Sequence, residues 1–410
     1  MFGWELPPYN SGGLGTASLG LTESLAADGV DIDFVVPRTF GPFPYTHMRI
    51  IGADQSGGDP WPEHQGGFAG YGNHQGMAAD GTPVFASYAQ TAEAQARWYA
   101  RRGAAIAQAN PSFDLVHAHD WIAYDAGVAA RTVAARHGEQ VPFVAHIHST
   151  EWDRGGQTAE TSAIAKIEQR GLQAADRVVA VSDYTKQIVH RQYNIPKAKI
   201  SVVHNGIAAA PAIPPTDFDQ VKRQFKIVLS LGRITASKGP EQFLKLAKLV
   251  TNRDPRVKFV MVGGGDLERQ TIELAAQMGL SGKLLFSSFL RGEDVERAYQ
   301  LADLFVMPSV SEPYGLVALE AMRAGTPTII SKQSGVSEVV KNGIALDYWD
   351  VDGMAKSVLY ILHHPAYASR LGSRSREEAL TQSWKQSAGR LEQIYAELTG
   401  GLASPRLLAA

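Results

Sequence analysis

Short apolar runs alternate with longer amphipathic stretches along almost the whole chain. Runs of strand length occupy Ile32–Pro37, Pro83–Tyr88, Leu115–Ala118, Phe143–Ile147, Arg177–Val181 and Ile200–Val203. Further runs follow at Ile227–Gly232, Lys258–Val262, Leu284–Ser288, Leu304–Pro308, Thr326–Ser331 and Ile344–Asp347. Many carry Val, Ile, Leu and Phe on successive positions, as strands covered on both faces do. Helical spacing falls between them, at Leu14–Asp28, Glu93–Ala109, Ala159–Ala174 and Glu241–Thr251. This alternation predicts an α/β protein with parallel, doubly wound sheets and crossover helices.

The pattern breaks once, at the Pro/Ala-rich stretch Ile207–Thr216, which neither helix nor central strand tolerates. We expect an interdomain linker there, dividing residues 1–206 from 207–383. The amphipathic stretch near 384–400 has no strand after it and is expected to pack back on the first domain. Ligands of doubly wound sheets bind beyond the carboxyl ends of the strands, so two facing sheets would form a cleft. The chain opens inside a strand and reaches a glycine loop by Ser11, which suggests a native start upstream of Met1. A glycine-rich stretch, Gly52–Gly81, lacks any period and is expected to help cover an acceptor.

Composition narrows the function. A chain of 410 residues with 44% apolar and 20% charged positions builds two large cores rather than a disordered polymer. Lys plus Arg total 39 against 41 Asp plus Glu, a net charge of −2, so nothing general attracts nucleic acid or an anionic membrane. Any bound anion needs a local site. The absence of cysteine removes thiol nucleophiles, disulfides and Cys-based metal centres. No apolar run is long enough to span a bilayer, and Met1–Glu5 has no signal-peptide character. The expectation is a cytoplasmic protein that does not insert in membranes.

Two strand-to-helix connections in the second half carry local charge. After Leu304–Pro308 comes Ser309-Val310-Ser311-Glu312-Pro313-Tyr314-Gly315-Leu316, then a helix holding Glu320. Amides at the helix start, near Gly315 and Leu316, suit phosphate, and glycine allows close approach. A carboxylate beside such a site suits sugar hydroxyls. After Ile227–Gly232 comes Arg233-Ile234-Thr235-Ala236-Ser237-Lys238-Gly239, with two cations fit to clamp a diphosphate. Each acid or cation alone would also fit a solvated surface position; it is their shared place at strand ends that points to a site. In the first half, Ser11-Gly12-Gly13-Leu14-Gly15 is either a phosphate-cradling turn or a tight strand–helix turn, and lacks the Walker lysine.

Histidines end two further strands, in His117-Ala118-His119-Asp120-Trp121 and His146-Ile147-His148-Ser149-Thr150-Glu151-Trp152. Strand alternation places His117 with His119, and His146 with His148. Zinc binding is one reading. Buried hydrogen-bonded imidazoles are the other, which we adopt for His117 and His146, leaving Asp120 and His148 to face a cleft.

Taken together these segments, with Val181-Ser182-Asp183-Tyr184-Thr185-Lys186 and His204-Asn205-Gly206-Ile207, resemble the retaining glycosyltransferases of family 4. The resemblance runs over nearly the whole chain. Within the family the chain looks most similar to bacterial and archaeal glycogen-synthase-like enzymes. It implies the GT-B fold, two Rossmann-like domains facing a central cleft, the second holding the nucleotide sugar. By that resemblance Arg233 and Lys238 neutralise the nucleotide diphosphate without a metal, and Glu312 binds the donor sugar. Gly315 and Leu316 hold the distal phosphate, Glu320 the ribose, and Leu290 lies near the base. Gly12 and Gly13 meet the diphosphate. His148 supports oxocarbenium-like charge through its backbone carbonyl, and Asp120 lines the acceptor side. Many glycogen synthases have lysine where this chain has Asn10, which leaves the acceptor open.

The implied activity is transfer of a hexosyl, chiefly glucosyl, unit from UDP- or ADP-sugar to a carbohydrate, with α-1,4-glucan elongation as the leading case. Its partners are then the donor and a carbohydrate acceptor, with no cofactor and no nucleic acid. Sucrose(-phosphate)- and trehalose-type synthases are the alternatives inside the family. A catalytically silent sugar-nucleotide-binding protein is the alternative outside catalysis.

Overall fold

The computed structural model describes residues 1–9, 12–57, 85–211, 213 and 218–401. The chain divides into two compact units. The first takes the described residues up to Gly206 together with those from Ser383 onward, and the second runs from Ile207 to Gln382.

In the first unit the strands are β1 (Asp33–Val36), β2 (Arg49–Gly52), β3 (Val116–His119), β4 (Phe143–Ile147), β5 (Arg177–Ala180) and β6 (Ile200–Val202). β1 pairs with β2, and β3 through β6 pair in sequence order, all parallel. Phe2 joins the two groups with parallel bridges to Val35 and Ala118. Its N–H donates to His117 O (2.8 Å), and its carbonyl accepts from His119 N (2.9 Å). The sheet therefore reads β2, β1, the Phe2 segment, β3, β4, β5, β6, and its winding reverses between the Phe2 segment and β3. Central strands are covered on both faces: every residue of β3 and β4 is buried, His117, His119 and His146 included. The helix Trp384–Thr399 belongs to this unit. Ser387 Oγ donates to His204 O (2.6 Å), and Arg177 pairs with Glu397 (3.2 Å).

The second unit holds β7 (Lys226–Leu231), β8 (Val257–Val262), β9 (Leu284–Ser287), β10 (Leu304–Met307), β11 (Thr328–Ser331) and β12 (Ile344–Leu346). They form one parallel sheet in the order β12, β11, β10, β7, β8, β9. Its winding reverses between β7 and β10. Val228, Phe259, Val306 and Ile329 from the sheet pack with Phe243, Leu246 and Ala247 on one helix and Met354, Val358 and Ile361 on another. No helix among the described residues is long and apolar enough to cross a membrane.

Three differences from the sequence reading stand out. Residues 85–88 of the run Pro83–Tyr88 are not strand but the start of helix Phe85–Ala109; Pro83 and Val84 lie outside the described residues. A short apolar run cannot be told from one helical turn by its period, and the Ala, Gln, Glu and Arg that follow favour helix. β2 was not anticipated, because only Ile50 and Ile51 mark it. The proposed acceptor-covering stretch lies, beyond Gly57, outside the described residues, as do Asn10 and Ser11.

Candidate active site

In doubly wound sheets the binding crevice opens where winding reverses, beyond the strand carboxyl ends. In the second unit that place lies past β7 and β10, and the two charged connections leave from those strands. Past β7, the loop Gly232–Lys238 runs into helix Pro240–Thr251 through Gly239. Past β10, residues 308–315 run into helix Leu316–Arg323.

The two loops are built against each other. Val310 N–H and Ser311 N–H both donate to Ser237 O (2.8 and 3.2 Å). Gly239 is left-handed (φ 67°), and a Cβ there would stand 2.1 Å from Pro308 O. The contact requires glycine twice over, for conformation and for space. Lys238 Nζ donates to Glu312 Oε2 as an ion pair, and Ser309 Oγ lies 3.4 Å from the same oxygen. Glu312 is buried, with its amide on Gln333 O (3.0 Å) and its carbonyl accepting from Gly335 N (3.0 Å). Its carboxylate is therefore held in place at the strand end. Arg233 stands on the same loop as Lys238 and is exposed.

Gly315 precedes the helix with φ 110°. A Cβ there would meet Met307 Cε at 3.0 Å and Val336 Cγ1 at 3.1 Å. The first amides of a helix have no partner within it and carry the positive end of its dipole, and this helix has no acid in its first turn. Leu316 opens it. Glu320, one turn further on, is half-buried, and Tyr299 Oη donates to its Oε2 (2.9 Å). Burial pushes the Glu320 carboxyl up from its usual range, while Tyr299 and the Arg323 guanidinium pull it down. Arg323 is itself paired with Glu296 and donates to Ala208 O (2.9 Å). Leu290 is half-buried beyond edge strand β9.

In the first unit, the reversal lies between the Phe2 segment and β3. Gly12 precedes helix Gly13–Ala27, the helix expected at a phosphate. Glu5, which sequence reasoning passed over, reaches this end: its Oε2 accepts from Gly15 N (3.1 Å) and would be 2.6 Å from a Cβ on Gly12.

All four histidine rings lie in one stack. His117 and His119 centroids are 4.4 Å apart, His146 and His148 4.2 Å. His117 Nε2 and His146 Nδ1 are 3.2 Å apart, and His119 Nδ1 and His148 Nε2 3.0 Å. Tyr395 Oη, from the Trp384–Thr399 helix, meets His117 Nδ1 at 2.5 Å. Burial holds all four imidazoles below their usual range, His148 down to about 3, so they are neutral near pH 7. Nitrogens of His117, His119 and His146 lie within 4.8 Å of one another.

Asp120 is fully buried in a left-handed conformation (φ 60°), and its Oδ1 accepts from His148 N (2.6 Å). Its side chain is turned onto the backbone of the next strand end rather than outward. The strain of that backbone is tolerated where the surroundings fix it.

Residues 11–210 match the family described as Glycosyltransferase Family 4, and residues 216–378 the family described as Glycosyl transferases group 1. The chain belongs to the group 1, family 4 glycosyltransferases. This glycosyltransferase is 28% identical to an uncharacterized glycosyltransferase of Methanocaldococcus jannaschii, over 96% of this chain and 97% of the relative. It is 27% identical to a glycogen synthase of Mycobacterium tuberculosis, over 99% and 96%. Its fold matches sucrose-phosphate synthase from Thermosynechococcus elongatus with a TM-score of 0.73 at 22% identity, over 95% and 94% of the two chains. The glycosyltransferase thus has the GT-B fold.

Proposed function

We propose that this glycosyltransferase is a retaining hexosyltransferase that moves a glucosyl unit from UDP- or ADP-glucose to a carbohydrate acceptor and elongates an α-1,4-glucan. The observation that carries the reading is the Lys238–Glu312 pair, held at the winding reversal of the second sheet beside the start of helix Leu316–Arg323. A cation and helix amides suit a leaving diphosphate, and a fixed carboxylate suits sugar hydroxyls. The nearly full-length similarity to a glycogen synthase supports a glucan acceptor.

On this reading Arg233 and Lys238 stabilise the charge that develops on the diphosphate as the glycosidic bond breaks. Gly315 and Leu316 hold its distal phosphate, Glu320 the ribose, Leu290 the base side, and Gly12 and Gly13 approach the diphosphate from their own helix start. The His148 backbone carbonyl faces the positive charge that develops on the sugar. We assign no covalent nucleophile; a leaving-group phosphate oxygen assists the incoming hydroxyl. Charge neutralisation by Arg233 and Lys238 would let the reaction proceed without a metal ion.

The test is direct. The protein is incubated with UDP-glucose or ADP-glucose and with glycogen, glucose or fructose 6-phosphate, with and without EDTA. Released nucleotide and the anomer of the new linkage are measured. EDTA-resistant growth of an α-1,4 chain is expected. Transfer to fructose 6-phosphate alone would move the assignment to sucrose-phosphate formation. Binding of nucleotide sugar with no turnover on any acceptor would indicate a silent binding protein.

A further inference from the structure

Just past β4, three of four successive amides end on buried carboxylates. His148 N–H donates to Asp120 Oδ1 (2.6 Å), Thr150 N–H to Asp153 Oδ2 (2.8 Å), and Glu151 N–H to both oxygens of Glu168 (3.0 Å each). Asp153 belongs to the segment itself and closes a capping box with Thr150. Asp120 ends the neighbouring strand. Glu168 comes from elsewhere, the helix Ala163–Ala174.

Glu168 is the unusual member. It is fully buried on a helix whose other interior positions are Ile164, Ala165, Ile167, Gly171 and Leu172. An apolar residue would complete that face at far lower desolvation cost. The carboxylate is instead surrounded by partners. Arg154 Nη2 lies 3.3 Å from Oε1, and Tyr193 Oη donates to Oε2. Arg154 also donates to Glu151 Oε2 (3.0 Å) and Ser149 Oγ (2.9 Å), while Ser162 Oγ donates to Glu151 Oε1 (2.8 Å). Every strand of this network returns to residues 149–151, next to His148. No step of the proposed reaction uses Glu168.

We propose that Glu168 is a positioning residue for glycosyl transfer: by accepting the Glu151 amide on both oxygens and holding Arg154, it fixes the backbone of 148–151 so that the His148 carbonyl is aimed before substrate arrives. The proposal rests on the role assigned to His148. Preorganised dipoles need no rearrangement as charge develops. A network that loosens them lowers turnover and leaves nucleotide affinity alone, because the nucleotide contacts were assigned to other loops.

The groups facing Glu168 are Arg154 and Glu151 from the short helix, Tyr193 beyond helix Asp183–Gln192, and Tyr124 from helix Asp120–Arg136. Burial pushes the Glu168 carboxyl up to about 8, against the pull of Arg154, Tyr193 and the Glu151 amide. The stronger acceptor is the ionised form, so turnover rises as pH passes through that value.

The experiment compares wild type, Glu168→Gln, Tyr193→Phe and Lys238→Ala. It measures kcat and both KM values from pH 6 to 9.5 and amide hydrogen exchange of residues 148–151. In E168Q we expect kcat to fall by about tenfold to a hundredfold, with donor KM unchanged, the rise near pH 8 gone, and faster exchange at 148–151. E168Q with wild-type kcat, pH profile and exchange, beside an inactive Lys238→Ala, overturns the proposal. If E168Q does not fold, Y193F decides: altered kcat and pH profile support the proposal, and wild-type values for both end it. Should the function itself be wrong, Lys238→Ala would release nucleotide as fast as wild type, and the exchange measurement would still decide whether Glu168 holds the segment.

Discussion

Lys238 donates to Oε2 of Glu312, 74 residues further along the chain, and the pair ties together the loops that leave β7 and β10. Single preorganised electrostatic groups contribute about 3–4 kcal/mol to catalysis. Lys238→Ala and Glu312→Ala should each lower kcat by about a hundredfold to a thousandfold, read as nucleotide released from the donor. Near-normal turnover in both variants would place the chemistry elsewhere.

Gly239 and Gly315 hold these same loops in left-handed backbone, at φ 67° and 110°. Alanine at either adds conformational strain of about 1–3 kcal/mol, and at Gly239 it also drives a Cβ into Pro308 O. Both variants should show a lower urea midpoint, and Gly239→Ala should lose more turnover, because it pushes the Lys238 loop off the Glu312 loop. A Gly239→Ala enzyme as stable and as fast as wild type would contradict the packing described.

Tyr299 Oη is the hydrogen-bond donor seen on Glu320 Oε2. Tyr299→Phe removes it and leaves the ring. Hydrogen bonds to charged groups contribute about 1.5–3 kcal/mol, so donor KM should rise by about tenfold or more with kcat largely kept. An equal fall in kcat at unchanged KM would mean that Glu320 does not serve the nucleotide.

The histidine stack makes a pH prediction. His117, His119, His146 and His148 have folded pKa values below the ordinary 6.5. Below 6.5 the unfolded chain therefore takes up protons that the folded one does not. The stability the four contribute is complete above pH 6.5 and is lost as pH falls below it. Each imbalance costs up to about 1.4 kcal/mol per pH unit. Glu168, raised to about 8, works in the opposite direction, losing its contribution as pH rises from 4.5 to 8. Four imidazoles outweigh it, so urea midpoints should fall between pH 6.5 and 4.5, and less steeply in His146→Asn. A flat profile over that range would show that the imidazoles charge in place.

Much of this was legible along the chain. β7 and β10 read as apolar runs, and the polar loops after them contain Arg233, Lys238 and Glu312. What stayed hidden depends on distance in sequence. Nothing near His117 announces Tyr395, 278 residues away. Nothing near Glu151 announces that a buried acid from another helix will take its amide. Nothing near Asp120 announces that its carboxylate will take the His148 amide, because that contact depends on where β4 lies. The run 83–88 reads as a strand because six residues are too few to tell a strand from a helical turn.

The sequence by itself determined the alternation of strand and helix, the break near Ile207, and the chemical kinds of residue at each strand end. These follow from local pattern, since period, glycine, proline and charge act over a few residues. Tertiary structure alone decided the strand order, and with it which strand ends become neighbours. Parallel pairing joins segments far apart in the chain, so the reversal between β7 and β10 that brings Lys238 to Glu312 is set by how whole faces bury against one another.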